Sequence, residues 1–103
     1  MPVQVRGEVV SVRRAGQYHV LTVTAPGVPE LARPGNFATL AIGDLDSSGL
    51  LLRRAFSIHG VQSRGIYGGT IDLVIADAGP GTHWLTQRRW GDALDIVAPR
   101  GRP

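Results

Sequence analysis

The stretch Val3-Gln4-Val5-Arg6-Gly7-Glu8-Val9-Val10-Ser11-Val12 alternates apolar and polar side chains over much of its length. This period of two predicts a half-buried strand, because successive side chains on a strand point to opposite faces. Arg13 to Gln17 contains Ala15-Gly16 and predicts a turn. Tyr18 to Thr24 then predicts the second strand of a hairpin. The chain therefore opens with antiparallel β-structure.

Four further segments predict strands, because Pro, Gly and polar loop residues separate them. These segments are Phe37–Ile42, Leu50–Ile58, Thr70–Ala76 and Ala93–Ala98. One short helix is predicted over His83 to Arg89, with Thr82 as its N-cap and Gly91 as its stop. Six short strands and one short helix predict an all-β fold, a six-stranded antiparallel Greek-key barrel.

Composition narrows the classes of protein that this chain can represent. Its 103 residues predict a single domain over positions 1–103, and an apolar fraction of 43% is that of an ordinary globular domain. No apolar run approaches the ~20 residues of a bilayer span, and we expect a cytoplasmic protein without membrane contact. The absence of cysteine excludes a thiol nucleophile and a cysteine-held iron–sulfur cluster in this chain.

The basic residues are the second compositional signal. All 11 are arginine, and the net charge is +3. A basic chain can bind nucleic acid, anionic lipid or a phosphate-bearing cofactor, and the alternative is a solvated arginine-rich surface. Arginine differs from lysine because its planar fork holds a phosphate through two hydrogen bonds. The sequence therefore directs attention to any arginine placed where a phosphate is expected.

The segment Leu51-Leu52-Arg53-Arg54-Ala55-Phe56-Ser57-Ile58 carries the first chemical signal. An apolar strand runs into arginine, then an aromatic ring, then a small hydroxyl. On a strand, Arg54 and Phe56 share one face while Ala55 and Ser57 share the other. This set suits an elongated ligand with a phosphate at one end and a flat ring system at the other. The alternative is a core phenylalanine flanked by solvated arginines.

The segment Asp77-Ala78-Gly79-Pro80-Gly81-Thr82 carries the second signal, directly before the predicted helix. Unpaired N–H groups and the positive end of the helix dipole favour an anion there. Glycine lets a phosphate approach the backbone closely, and the Thr82 hydroxyl can add a donor. The alternative is an ordinary turn and cap. Histidines 19, 59 and 83 have no metal-site spacing, and we expect no metal.

Together, in order, these segments resemble the FAD-binding domain of the ferredoxin reductase superfamily. The closer resemblance is to the electron transfer subunit of dihydroorotate dehydrogenase. Leu51–Ile58 resembles its flavin motif, with Ala55 where proline is more usual, and Gly79–Thr82 followed by Trp84-Leu85 resembles its phosphate loop. Pro34-Gly35-Asn36-Phe37 and Asp95–Gly101 resemble two further motifs, with Asn36 in place of Gln and Ala98 in place of Gly. The match covers nearly the whole chain.

The resemblance implies a set of flavin-contacting residues. Arg54 would pair with the FAD pyrophosphate, which Gly79, Gly81 and Thr82 would receive at the helix N-terminus. Phe56 would lie against the isoalloxazine, and Ser57 would hydrogen-bond near its reactive edge. A second strand would offer backbone groups. The implied cofactor-binding set is Arg54, Ala55, Phe56, Ser57, Val74, Ile75, Ala76, Gly79, Gly81 and Thr82. No catalytic residue is assigned.

The resemblance also implies a larger assembly. In the family, a nicotinamide-binding domain and a cysteine-rich iron–sulfur segment follow the barrel, and neither is expected in this chain. The implied partner is the dihydroorotate dehydrogenase catalytic subunit of pyrimidine biosynthesis. Three alternatives stay open: the barrel of another ferredoxin-reductase-like oxidoreductase, a barrel that has lost its flavin, and a basic barrel binding single-stranded nucleic acid. Nucleic-acid binding is disfavoured because aromatic residues are only 6% of the chain.

Overall fold

The computed structural model describes residues 2–42, 52–63, 65, 68–76 and 78–101. The predicted loop 43–49 lies outside the described residues. Leu50 and Leu51 of the predicted fourth strand also lie outside them, as do residues 64, 66 and 67 of a Gly-rich loop that the sequence predicts over residues 62–69. The remaining residues outside the described ranges are Met1, Asp77 and the last two residues.

Six strands and two short helices make up the described chain. The strands are β1 (Val3–Ala15), β2 (Tyr18–Thr24), β3 (Phe37–Ile42), β4 (Leu52–Gln62), β5 (Thr70–Ala76) and β6 (Ala93–Arg100). The helices are α1 (Val28–Leu31) and α2 (Pro80–Thr86). The strands close into one barrel in the order β1-β2-β5-β4-β3-β6, and every neighbouring pair is antiparallel. The predicted six-stranded antiparallel barrel is confirmed.

The barrel interior follows from the alternation that the sequence displays. Each strand turns its apolar residues inward, so the core contains fully buried leucine, isoleucine and valine side chains from all parts of the chain. Leu21, Leu40, Leu73 and Ile96 are among those with no exposed surface. The helices add to this core, because Leu85 of α2 and Val28 of α1 are also fully buried.

The first hairpin is longer than the sequence predicts. β1 continues past Val12 to Ala15 and pairs directly with Tyr18, so the loop contains only Gly16 and Gln17. Two-residue hairpin loops need a positive φ, and Gly16 supplies one of 63°. The ladder accepts Arg13 and Arg14 because both side chains are exposed.

The predicted helix cap is wrong by three residues. α2 begins at Pro80 after Gly79, and Thr82 lies inside its first turn. Proline suits the first helical position because its fixed φ is helical and its missing N–H would have no partner there. The helix ends at Thr86, so Gly91 belongs instead to the turn before β6, where its N–H donates to the Val9 carbonyl at 2.8 Å. α1 is a single turn at Val28–Leu31, where the sequence predicts only a break.

Candidate functional site

The barrel wall opens between β4 and β5. Their ladder runs from Gln62↔Thr70 to Ile58↔Leu73, and no pair joins the described residues 53–57 of β4 to 74–76 of β5. Residues 53–57 of β4 pair with β3, and residues 74–76 of β5 pair with β2. Each set therefore turns one backbone edge toward the opening, where N–H and C=O groups can bind a ligand.

The side chains of β4 at the opening divide between core and solvent. Arg54, Ala55 and Ser57 are exposed. Phe56 is half-buried and packs against the core cluster, as does Ile58. Part of Phe56 thus anchors β4 to the barrel interior, and the rest of the residue remains accessible beside Ser57.

The two adjacent arginines of β4 have different surroundings. Arg53 Nη2 lies 3.0 Å from Asp95 Oδ1 on β6, and Gln4 Nε2 donates to both Asp95 oxygens at 3.1 Å. Burial raises the pKa of Asp95, but hydrogen bonds from Gln4 and Arg53 and the charges of Arg53 and Arg6 lower that pKa below its usual value. Arg54 has no ion-pair partner among the described residues. Of these two arginines, Arg54 is therefore the one available to a ligand.

The turn Gly79 to Thr82 supplies backbone N–H groups. Helix geometry leaves the N–H groups of Gly81 and Thr82 without intrahelical partners, whereas His83 N–H donates to the Gly79 carbonyl at 2.8 Å. A Cβ added to Gly79 would meet nothing within 4 Å, so the space above the turn is open. The Thr82 hydroxyl is already engaged, since it accepts from Ala78 N at 2.9 Å and donates to the Gly79 carbonyl at 3.1 Å. It holds the turn rather than offering a spare donor.

β3 brings Arg54 and this turn to the same end of the barrel. Leu40 of β3 pairs with Arg54, and Ile42, two residues on, pairs with the first residue of β4. A Cβ added to Gly81 would lie 3.3 Å from Ile42 Cγ2, so the turn packs directly on the end of β3. Val74 to Ala76 lead into the turn from the other side of the opening. Arg54 and the turn thus lie toward the same end of β3, while the Ile75 side chain is fully buried in the core.

Comparison with known proteins adds a sequence relative. The chain is 36% identical over 78 residues to "Dihydroorotate dehydrogenase B (NAD(+)), electron transfer subunit" of Desulforamulus reducens. The match covers 76% of this chain but 28% of that protein. The chain therefore spans a little over a quarter of the relative's length. No family model matches the chain.

Solved structures share the architecture at low sequence identity. An NADH-dependent reduced ferredoxin-NADP oxidoreductase matches with a TM-score of 0.77 and 24% identity, over 94% of this chain and 33% of that one. A ferredoxin reductase in carbazole 1,9a-dioxygenase matches with a TM-score of 0.74 and 23% identity, over 97% and 29%. The chain therefore shares the barrel fold of these two reductases. A siderophore-interacting protein from Acinetobacter baumannii shares this fold, with a TM-score of 0.73, 18% identity, and coverage of 97% and 41%.

One residue of this barrel holds the edge of the opening, a role that the sequence alone did not indicate. Asn36 is only 5% exposed, and its Oδ1 accepts from Arg33 N at 2.7 Å. Its carbonyl accepts from Ile58 N at 3.1 Å, at the last pair before β4 and β5 separate. The signal available in the sequence was a polar residue directly before a strand, in the Pro-Gly-Asn-Phe motif.

Tyr18 is a second residue that the sequence did not single out. It pairs with Ala76 at the end of β5 and is 43% exposed. Elsewhere in the described ranges, no group of His, Asp and Glu side chains could hold a metal ion. No helix among the described residues is long and apolar enough to cross a bilayer.

Proposed function

We propose that residues 1–103 form an FAD-binding domain of an electron-transfer flavoprotein. The observation that carries this proposal is the open ladder between β4 and β5, with Arg54 on one side and Gly79–Thr82 at the end of the other. The two segments offer one positive charge, free backbone N–H groups and two unpaired strand edges. A phosphate-bearing ligand with a flat ring system matches that set.

The residues of the opening fit the proposed cofactor. Arg54 and the N–H groups of Gly81 and Thr82 bind the pyrophosphate, since charge-assisted contacts and a helix N-terminus both favour an anion. Backbone groups of Val74, Ile75 and Ala76, together with Ser57, orient the isoalloxazine. The exposed part of Phe56 and the small side chain of Ala55 shape the wall beside it. When bound, the flavin supplies the redox chemistry, which the protein orients and tunes.

The proposed physiological role rests on the sequence relative. We propose that the chain passes electrons between NAD and a dihydroorotate dehydrogenase catalytic subunit, in pyrimidine biosynthesis. The 36% identity to an electron transfer subunit supports this role. This chain contains no cysteine, so in the proposed role a cysteine-held iron–sulfur cluster would need residues outside positions 1–103. The proposed role would need a nicotinamide-binding part there as well.

Titration of the purified chain with FAD tests the cofactor proposal. Flavin absorbance at ~450 nm should co-elute with the protein in gel filtration. Arg54→Ala should weaken FAD binding about 10- to 150-fold, the loss expected for one charge-assisted contact of about 1.5–3 kcal/mol. Arg53→Ala is the matched control, because Arg53 is committed to Asp95 and its removal should change FAD affinity less than about twofold.

The same titration has two results that would reject the proposal. One is the absence of saturable FAD binding by a folded chain. The other is equal weakening by Arg53→Ala and Arg54→Ala, which would mean that FAD responds only to the net positive charge. Binding of a single-stranded oligonucleotide that weakens steeply with salt would favour the nucleic-acid alternative instead.

A further inference from the structure

A small cavity lies at the opposite end of β3 from the Gly79–Thr82 turn. Its volume is about 220 Å³. The turn before β3 and the last residues of β6 form its walls, with Arg33 on one side and Arg100 on the other. Asn36, Gly101 and Leu31 complete much of the lining. None of these residues belongs to the proposed flavin-binding set.

The two arginines of this cavity lack an acidic partner within the described part of the chain. Neither Arg33 nor Arg100 forms an ion pair there. The Arg33 side chain donates from Nη1 to the neighbouring Ala32 carbonyl at 3.4 Å. Glu30 of α1 is the nearest acidic residue in sequence, but it does not line the cavity. Two arginines therefore line one small space, and none of the described carboxylates pairs with either of them.

The cavity is built on a buried polar residue rather than on flexible surface chains alone. Asn36 is 5% exposed, and its side chain accepts from the backbone N–H of Arg33 at 2.7 Å. Its Nδ2 donates to the Gly101 carbonyl at 3.4 Å. One side chain therefore ties the backbone that carries Arg33 to the backbone that follows Arg100. This link holds the two arginine-bearing segments in a constant relation.

We propose that this cavity binds a phosphate group. A phosphate carries a charge of about −1.5 to −2 near neutral pH, which matches two guanidinium groups, whereas a single carboxylate would balance only one. The planar fork of arginine holds phosphate oxygens through paired hydrogen bonds. The site takes either free phosphate or the phosphate of a small organic ester.

Titration of the ¹⁵N-labelled full chain with inorganic phosphate, at constant ionic strength near neutral pH, tests this site. The amide signals of Asn36 and Gly101 should shift saturably. Arg33→Gln and Arg100→Gln should each weaken binding about tenfold or more. Both side chains are exposed, so these variants should fold normally, which circular dichroism checks. Arg13→Gln is the control, because Arg13 is exposed on the first hairpin and should leave the affinity unchanged within about twofold.

A parallel titration with ribose 5-phosphate distinguishes the two sources of the phosphate. Tighter binding than inorganic phosphate supports an organic ester, and equal binding supports free phosphate. Equal weakening by Arg13→Gln, or a lack of saturation, overturns the site. Shifts confined to Gly81 and Thr82 that disappear in Arg54→Ala also overturn it, while leaving the proposed flavin site supported. A chain that binds no FAD but still shows saturable phosphate shifts at Gly101 would reject the flavin site and support the phosphate site.

Discussion

At the residue scale, Arg53 and Arg54 show how identical neighbours acquire different roles. Successive side chains on a strand point to opposite faces, so the two guanidinium groups leave β4 in opposite directions. Asp95 Oδ1 of β6 forms a salt bridge with Arg53 Nη2 at 3.0 Å, while Arg54 has no such partner among the described residues. The sequence predicts the alternation, but it does not reveal which face Asp95 occupies, because that depends on the pairing of β6 with β3.

Asp95 should make stability depend on acid pH. Its folded pKa lies below its unfolded value, so the stabilisation is present above the unfolded pKa and is lost as pH falls through the folded pKa. Arg53 and Asp95 are 37% and 39% exposed, so the effect is small, about 1 kcal/mol or less. Urea unfolding should give wild type a larger free energy of unfolding than Asp95→Asn at pH 7. The difference between the two should disappear at ~pH 3. A gap that is constant with pH would contradict this account.

Asn36 should be the polar residue whose loss costs most in the described chain. Asn36→Ala removes a buried side chain and its part-buried hydrogen bonds to the Arg33 N–H and the Gly101 carbonyl, which should cost about 1–3 kcal/mol. Gln4→Ala serves as the control, since Gln4 is exposed and its bonds to Asp95 face solvent. Urea unfolding of both variants measures the difference. Equal costs would show that the buried bonds of Asn36 are not specially important.

At the element scale, the sequence predicts strands better than their ends. The bounds of β2, β3 and β5 agree with the alternation pattern, because apolar residues face the core throughout each. β4 runs past its predicted end at Ile58 to Gln62, where Gly60 sits at an irregularity in the ladder. The sequence predicts a Gly-rich loop from Gln62 and assigns no element to residues 59–61, whereas pairing with β5 makes these residues part of the strand. The position of α2 was missed because Pro80 starts a helix as readily as it ends one.

Gly7 of β1 should tolerate no side chain. A Cβ at this position would collide with the Thr24 carbonyl oxygen and lie 2.7 Å from Ile96 Cδ1, where β2 ends against β1. Both groups are held in place, the first by backbone and the second by the core, so Gly7→Ala should destabilise the barrel by about 1–3 kcal/mol. Thermal unfolding measures the loss against Glu8→Ala, an exposed neighbour. A melting temperature within a degree or two of wild type would show that β1 can shift there.

At the scale of the whole molecule, the site exists because the barrel closes in a non-sequential order. β4 lies between β3 and β5, while β5 reaches back to β2. This order places β4 and β5 side by side. The two strands pair from Ile58 to Gln62 of β4 and separate over residues 53–57. Strand count and turns predict a barrel from the sequence, and the family resemblance predicts which residues face the ligand. The gap itself depends on pairings between distant strands, which a single sequence does not display.

The chain has a net charge of +3, and three of its 11 arginines lie in two small regions. One is Arg54 at the β4–β5 opening, and the other is the Arg33 and Arg100 cavity. Arg53 is matched by Asp95, and Arg88 lies over the Trp84 ring at 3.9 Å, within 3.9 Å of Asp92. Arg54, Arg33 and Arg100 therefore stand where phosphate is proposed to bind.

The most direct test of the flavin proposal is an FAD titration of the ¹⁵N-labelled chain, read amide by amide. Binding in the opening predicts saturable shifts in residues 53–57, 74–76 and 79–82, with none at the hairpin loop of Gly16 and Gln17. The wild-type pattern should persist in Arg53→Ala and fade in Arg54→Ala. Shifts that spread over the outer barrel surface, or a spectrum that FAD leaves unchanged, would contradict the assignment of this opening as the flavin site.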